Sequence, residues 1–170
     1  MKVLSRQTNS RNCIICGLDN KLGLKAAFYQ MEDNSVGASF KFLPEHQSYP
    51  GRTHGGMITA LLDEVMGRAL WCFEPDIYAC TTTLNVTFRK AVPYGTPLKA
   101  RGFLTSNSKL FFSAKGYICD ENGNVLAEAV GKYMKLKNSV ITGDEDYNVD
   151  DDMCYNIDDG VKELDLPVKD

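Results

Sequence analysis

Residues 55–72 read GGMITALLDEVMGRALWC. Met57, Ile58, Ala60, Leu61, Leu62, Val65, Met66, Ala69, Leu70 and Trp71 leave almost no polar face, which predicts a helix buried on nearly all sides. Its length, with strands on either side, suits a core helix rather than a membrane span. After it the period changes to two. Within 80–89, Leu84, Val86 and Phe88 alternate with Thr83, Asn85, Thr87 and Arg89, the pattern of a strand. Residues 97–105, 110–119 and 125–136 are three more candidate strands. The last two are joined by a turn whose Asn122-Gly123 step is a hairpin signal. Upstream, 22–31 and 36–43 read as strands around the polar turn Glu32-Asp33-Asn34-Ser35. Residues 44–54, punctuated by Pro44, Pro50 and Gly51, read as a loop. Two strands, one helix and four strands predict an α+β fold, an antiparallel sheet wrapped around one long helix. One sheet on one helix leaves an edge uncovered, which a dimer continuing the sheet would cover.

A length of 170 residues suits one domain. No apolar run of 18 residues occurs, and residues 1–12 lack the apolar stretch of a secretory signal. The expectation is a cytoplasmic protein without a membrane partner. Residues 144–170 hold eleven acids against Lys162 and Lys169, a charge of −9, while residues 1–143 carry +6. The body is mildly basic, which suits an anionic ligand. It has no basic run and no nucleic-acid motif, so nucleic acid is not an expected partner. The chain divides into an N-terminal arm (1–20), a main domain (21–138) and an acidic tail (139–170) too poor in apolar residues to fold alone, hence expected to be mobile.

Cysteines stand at 13, 16, 72, 80, 119 and 154 and read as thiols. Cys13 and Cys16 form a CxxC, but no second CxxC supplies the rest of a zinc set. No metal ligands and no cofactor are therefore expected. His46 and His54, the only histidines, read as structural or turn residues.

Two features point to chemistry. His54-Gly55-Gly56 opens the helix. The first N–H groups of a helix lack internal partners and lie at its positive end. Glycines there admit close approach, so a carbonyl oxygen gaining negative charge could be held. An ordinary glycine entry into a helix reads equally well. Asp63 lies between Leu62 and Val65 in the least polar segment of the chain. A carboxylate there is costly unless paired or functional, and burial would raise its pKa toward that of a general base. Glu64 has Arg68 four residues on, the spacing of an ordinary helix ion pair. Thr59, one turn before Asp63, could bond it or be filler.

The run Tyr49-Pro50-Gly51-Arg52-Thr53-His54-Gly55-Gly56, then Ala60-Leu61-Leu62-Asp63-Glu64 and Met66-Gly67-Arg68-Ala69, resembles the hotdog-fold acyl-CoA thioesterases of the PaaI-like branch. Leu84 to Pro93 is similar to the family strand after the helix, and Cys13-Ile14-Ile15-Cys16-Gly17 to the arm of one branch. The resemblance covers residues 13–137. It implies hydrolysis of an acyl-CoA thioester in a homodimer or dimer of dimers, coenzyme A being part of the substrate. It implies that the Gly55 N–H, with Gly56, polarises the carbonyl. Asp63, from the other subunit, would act as base or nucleophile. Thr81 would help orient water, and His54 would shape the loop. Ser48 falls where a related branch carries an amide, and Thr87, Arg89 and Lys109 match positions that contact coenzyme A in some relatives.

Rival readings are a hotdog-fold hydratase using a loop histidine, a non-catalytic acyl-CoA-binding protein, and a metal-linked or docking module built on the CxxC and the tail. Neither a GxSxG elbow nor a GxxxxGK phosphate loop occurs, which disfavours a serine hydrolase or an NTPase.

Overall fold

A computed structural model describes residues 1–146 and 148–167. Seven strands form one antiparallel sheet: β1 (Val3–Arg6), β2 (Ala27–Met31), β3 (Val36–Phe40), β4 (Tyr78–Phe88), β5 (Leu98–Asn107), β6 (Phe111–Cys119) and β7 (Val125–Leu136). Their order is β1-β2-β3-β5-β6-β7-β4. The long helix α1 (Gly55–Gly67) lies across β3 to β7 and tightens into a 3₁₀ turn over Arg68–Cys72. Two short helices follow the sheet, α2 (Asn138–Thr142) and α3 (Val149–Asp152). This is the hotdog fold expected from the sequence. No helix among the described residues is long and apolar enough to cross a membrane.

Ile58, Leu61, Leu62, Val65 and Met66 are the buried residues of α1. They meet Phe28, Val36, Leu98, Ala100, Phe112 and Ile118 in one core. The helix comes so near the sheet that a Cβ on Gly102 would stand 2.3 Å from the Val65 carbonyl oxygen. Contrary to the sequence pattern, α1 is not buried all round. Thr59, Ala60, Asp63 and Gly67 are only half-buried, and Gly56 is exposed. Within one chain the sheet covers one side of the helix, and the side bearing Thr59, Ala60, Asp63 and Gly67 is only partly covered among the described residues.

β1 was not expected. It is four residues long and only Val3 is buried, too little for a periodic signal. The expected strand 22–31 is shorter than its apolar run. Lys25 takes φ 55°, and Leu24 and Ala26 donate backbone bonds to Ile14 and Ile15, so this stretch packs on the arm instead of the sheet.

The tail differs from expectation as well. Part of it returns to the sheet: Tyr155 pairs with Asn9 and Glu163 with Lys2. Leu164 and Leu166 are buried against Val3, Tyr29 and Met31. Asp159 pairs with Arg6 at 2.8 Å and accepts the Tyr29 hydroxyl at 2.6 Å. Few as they are, these apolar side chains meet a sheet face that would otherwise stay wet, and the acids meet the basic body. Residues 147 and 168–170 of the tail lie outside the described residues.

Candidate active site

The sequence places Asp63 two turns into the helix, and the sheet supplies its partners. The Thr81 hydroxyl donates to Asp63 Oδ1 at 2.8 Å. The Tyr133 hydroxyl donates to the same oxygen at 3.1 Å and to the Asp63 carbonyl at 3.3 Å. Among the described residues Oδ2 carries no hydrogen bond. Burial raises the Asp63 pKa above the ordinary 3.8 and the neighbouring Glu64 raises it further, while the Thr81 and Tyr133 bonds pull it partly back. Thr59 makes no bond to it.

Thr81 reaches the helix because β4 is bulged. Thr81 opposes Tyr133 and Thr83 opposes Lys132, leaving Thr82 as an extra residue. Thr81 therefore shares the helix-facing side with Leu84 and Val86, which strict alternation would not give. Tyr133, on β7, was missed by the sequence reading. It is 2% exposed and stacks on Phe112 with ring centroids 4.6 Å apart. Its inward neighbours on β7 are Ala127, Ala129 and Gly131, and nothing local in the sequence marks its contact with Asp63. The Asp63 carboxylate opens into a cavity of about 270 Å³, also lined by Cys13, Cys16, Glu64, Arg68, Thr81 and Tyr133.

The helix start lies elsewhere. His54 caps it, its Nδ1 accepting the Gly56 N–H at 2.9 Å. Gly56 therefore has no free N–H to offer, whereas the Gly55 N–H, at the first helical position, has no acceptor within the helix. Gly55 borders a groove of about 450 Å³ with Arg52, Phe88, Arg89 and Lys90. Arg52 and Lys90 were not singled out in the sequence. Asp63 stands eight positions after Gly55 on the helix, about 12 Å along the axis.

The remaining expected residues are dispersed within one chain. Arg89, just past the end of β4, pairs with Glu128 of β7. Thr87 lines a separate cavity with Asn85, Phe103 and Lys115. Lys109, in the β5–β6 turn, lines another with Glu74, Asp76 and Lys135. Ser48 is exposed on the loop before α1, its N–H bonded to the Arg52 carbonyl. His46 is structural, as expected. It is buried, with Nε2 2.8 Å from the Leu22 carbonyl and Nδ1 accepting the Leu43 N–H at 3.2 Å. Glu64 and Arg68 form the expected ion pair at 2.8 Å. Cys13, Cys16 and Glu64 form a cluster of possible metal ligands.

Residues 50–127 match the family model of the thioesterase superfamily. No curated protein sequence matches the chain. Among solved structures, a thioesterase superfamily protein superposes with a TM-score of 0.67 at 26% identity, covering 72% of this chain and 63% of its own. This chain thus spans less than two thirds of that relative. The E. coli PaaI protein from the phenylacetic acid degradation operon gives 0.61 at 16% identity, covering 67% and 81%. A hypothetical thioesterase from Streptococcus pneumoniae, solved with coenzyme A, gives 0.59 at 18% identity, covering 65% and 87%. At these last two identities the likeness is one of fold.

Proposed function

We propose that the chain is an acyl-CoA thioesterase of the superfamily whose family model matches residues 50–127, with a site that forms between two copies of the chain. One observation carries this reading: Asp63 sits in a cavity with one oxygen held by Thr81 and Tyr133 and the other unbonded. Such a carboxylate can take a proton from water while its orientation is fixed. The water oxygen attacks the thioester carbonyl, and the carbonyl oxygen, gaining charge, is met by a Gly55 N–H. Collapse breaks the C–S bond. The thiolate takes the proton from Asp63, leaving free acid and coenzyme A.

Gly55 and Asp63 are about 12 Å apart along the helix, so the two groups meeting one carbonyl come from different copies. The half-covered side of α1 and the free edge of β4, an eleven-residue strand at the end of the sheet, support a homodimer or a dimer of dimers. Arg52, Arg89 and Lys90 beside Gly55 suit the phosphates of coenzyme A. The neighbour solved with coenzyme A supports the same ligand class. Thr87 and Lys109 are kept as contacts with coenzyme A through a second copy, and Ser48 as a residue near the carbonyl. A hydratase is less well supported, because both ring nitrogens of His46 are occupied and His54 caps the helix.

The test is release of free coenzyme A from short, medium, long and aromatic acyl-CoAs, read by chromatography. Wild type should turn over at least one class, and Asp63→Asn should be slower by about a hundredfold or more, the scale of a lost general base. Binding without turnover by the folded wild type would replace this reading with an acyl-CoA-binding protein. Single turnover in ¹⁸O-water separates the two roles of Asp63, since label enters the protein only when the carboxylate attacks directly and water then opens the resulting anhydride at the Asp63 carboxyl carbon.

A further inference from the structure

We propose that Cys13, Cys16 and Glu64 bind a soft divalent cation of the zinc class, clipping the N-terminal arm to the helix that carries Asp63. The Sγ atoms of Cys13 and Cys16 and a carboxylate oxygen of Glu64 all lie within 4.8 Å of one another. Around a tetrahedral zinc with Zn–S bonds of about 2.3 Å, two sulfurs stand about 3.8 Å apart. The three ligands would thus close in by about an ångström at most.

The arm is folded as a ligand loop. The N–H groups of Ile15 and Cys16 both point at Cys13 Sγ, at 3.3 and 3.5 Å. Backbone amides aimed at a sulfur are outer contacts of the kind that orient a metal ligand. Gly17 permits this turn: its N–H donates to the Cys13 carbonyl at 2.8 Å, and a Cβ there would lie 2.4 Å from that same oxygen. Cys16 is buried and bonds Ser10 Oγ at 3.2 Å.

Glu64 is the third ligand that the CxxC lacks in sequence. Arg68 Nε holds Glu64 Oε1 at 2.8 Å and leaves Oε2 facing Cys13 Sγ at 3.9 Å. This is the outer contact that orients a ligating carboxylate. Arg68 is itself 2% exposed, and its buried Nη2 has no hydrogen-bond partner among the described residues. Charge closes as well. Two thiolates and a carboxylate carry three negative charges, matched by the cation and the Arg68 guanidinium, so the partly buried cluster is neutral with metal bound. Binding releases the thiol protons to solvent. The fourth position opens on the cavity that Asp63 shares, where water can complete the set.

This site does not depend on the thioesterase reading, and its test uses no acyl-CoA. Full-length protein without a histidine tag, expressed with zinc and purified reduced, is measured by elemental analysis. The metal is then removed and the protein titrated with cobalt(II) under nitrogen. One equivalent of zinc per chain is expected, with thiolate-to-cobalt charge-transfer bands saturating at one equivalent. Cys13→Ser and Cys16→Ser should abolish the bands, and Glu64→Gln should weaken cobalt binding by about 10-fold or more. A reduced, folded wild type that holds no zinc and shows no such bands overturns the proposal, with no variant needed. Bands that survive loss of both cysteines overturn it too.

Discussion

Opposing influences set the chemistry of Asp63. Burial and Glu64 favour its neutral form, while the hydroxyls of Thr81 and Tyr133 favour the charged one. The native state therefore holds this proton more tightly than the unfolded chain. Between the ordinary and the raised pKa, stability falls as pH rises, and at neutral pH the charged Asp63 is a net cost. Asp63→Asn should therefore unfold no earlier than wild type in a thermal melt at pH 7, even as activity is lost. Tyr133→Phe removes a bond that lowers the pKa, so the acid limb of the pH–rate profile should move to higher pH. A Tyr133 that only fills space would leave that limb in place. Asp63 was legible in the sequence because a carboxylate interrupts an apolar run. Tyr133 was not, because it meets Asp63 from 70 residues away and nothing local marks the contact.

Elements whose buried face repeats several times are the ones their periodicity located. The expected strand 125–136 matches β7 at both ends, and the helix start at Gly55 is where expected. What periodicity could not reveal was a break in its own rule. The extra residue in β4 puts Thr81 on the helix side, and only pairing with β7 shows it. The seating of α1 on β5 likewise depends on a contact between distant segments. Gly102→Ala would press a methyl group into the Val65 carbonyl, and should cost about 1–3 kcal/mol, the usual range for overpacking. Urea unfolding checks this, with an unchanged slope marking a loss of stability alone.

For the molecule as a whole, the opposite charges of body and tail were legible, but their meeting place was not. Leu164 and Leu166 alternate with acids for only two positions, too few to mark a docking segment in sequence. Leu166→Ala should cost about 2–5 kcal/mol, whereas a tail free in solution would register nothing. The proposed pairing of chains has its own test. His54, at φ −64° and ψ 135°, already has the backbone that precedes a proline, so Gly55→Pro removes the N–H and leaves the helix start in place. Asp63→Asn and Gly55→Pro should each be inactive alone. Mixed and allowed to exchange, they should recover about a quarter of wild-type activity, since half the dimers are hybrids with one intact site. No recovery despite proven exchange would mean a site made within one chain. On the proposed reading, the span of helix between Gly55 and Asp63 works as a ruler that makes activity a property of concentration. Diluted below the dissociation constant of the pair, the enzyme should lose turnover per molecule while every chain stays folded, and should regain it on concentration.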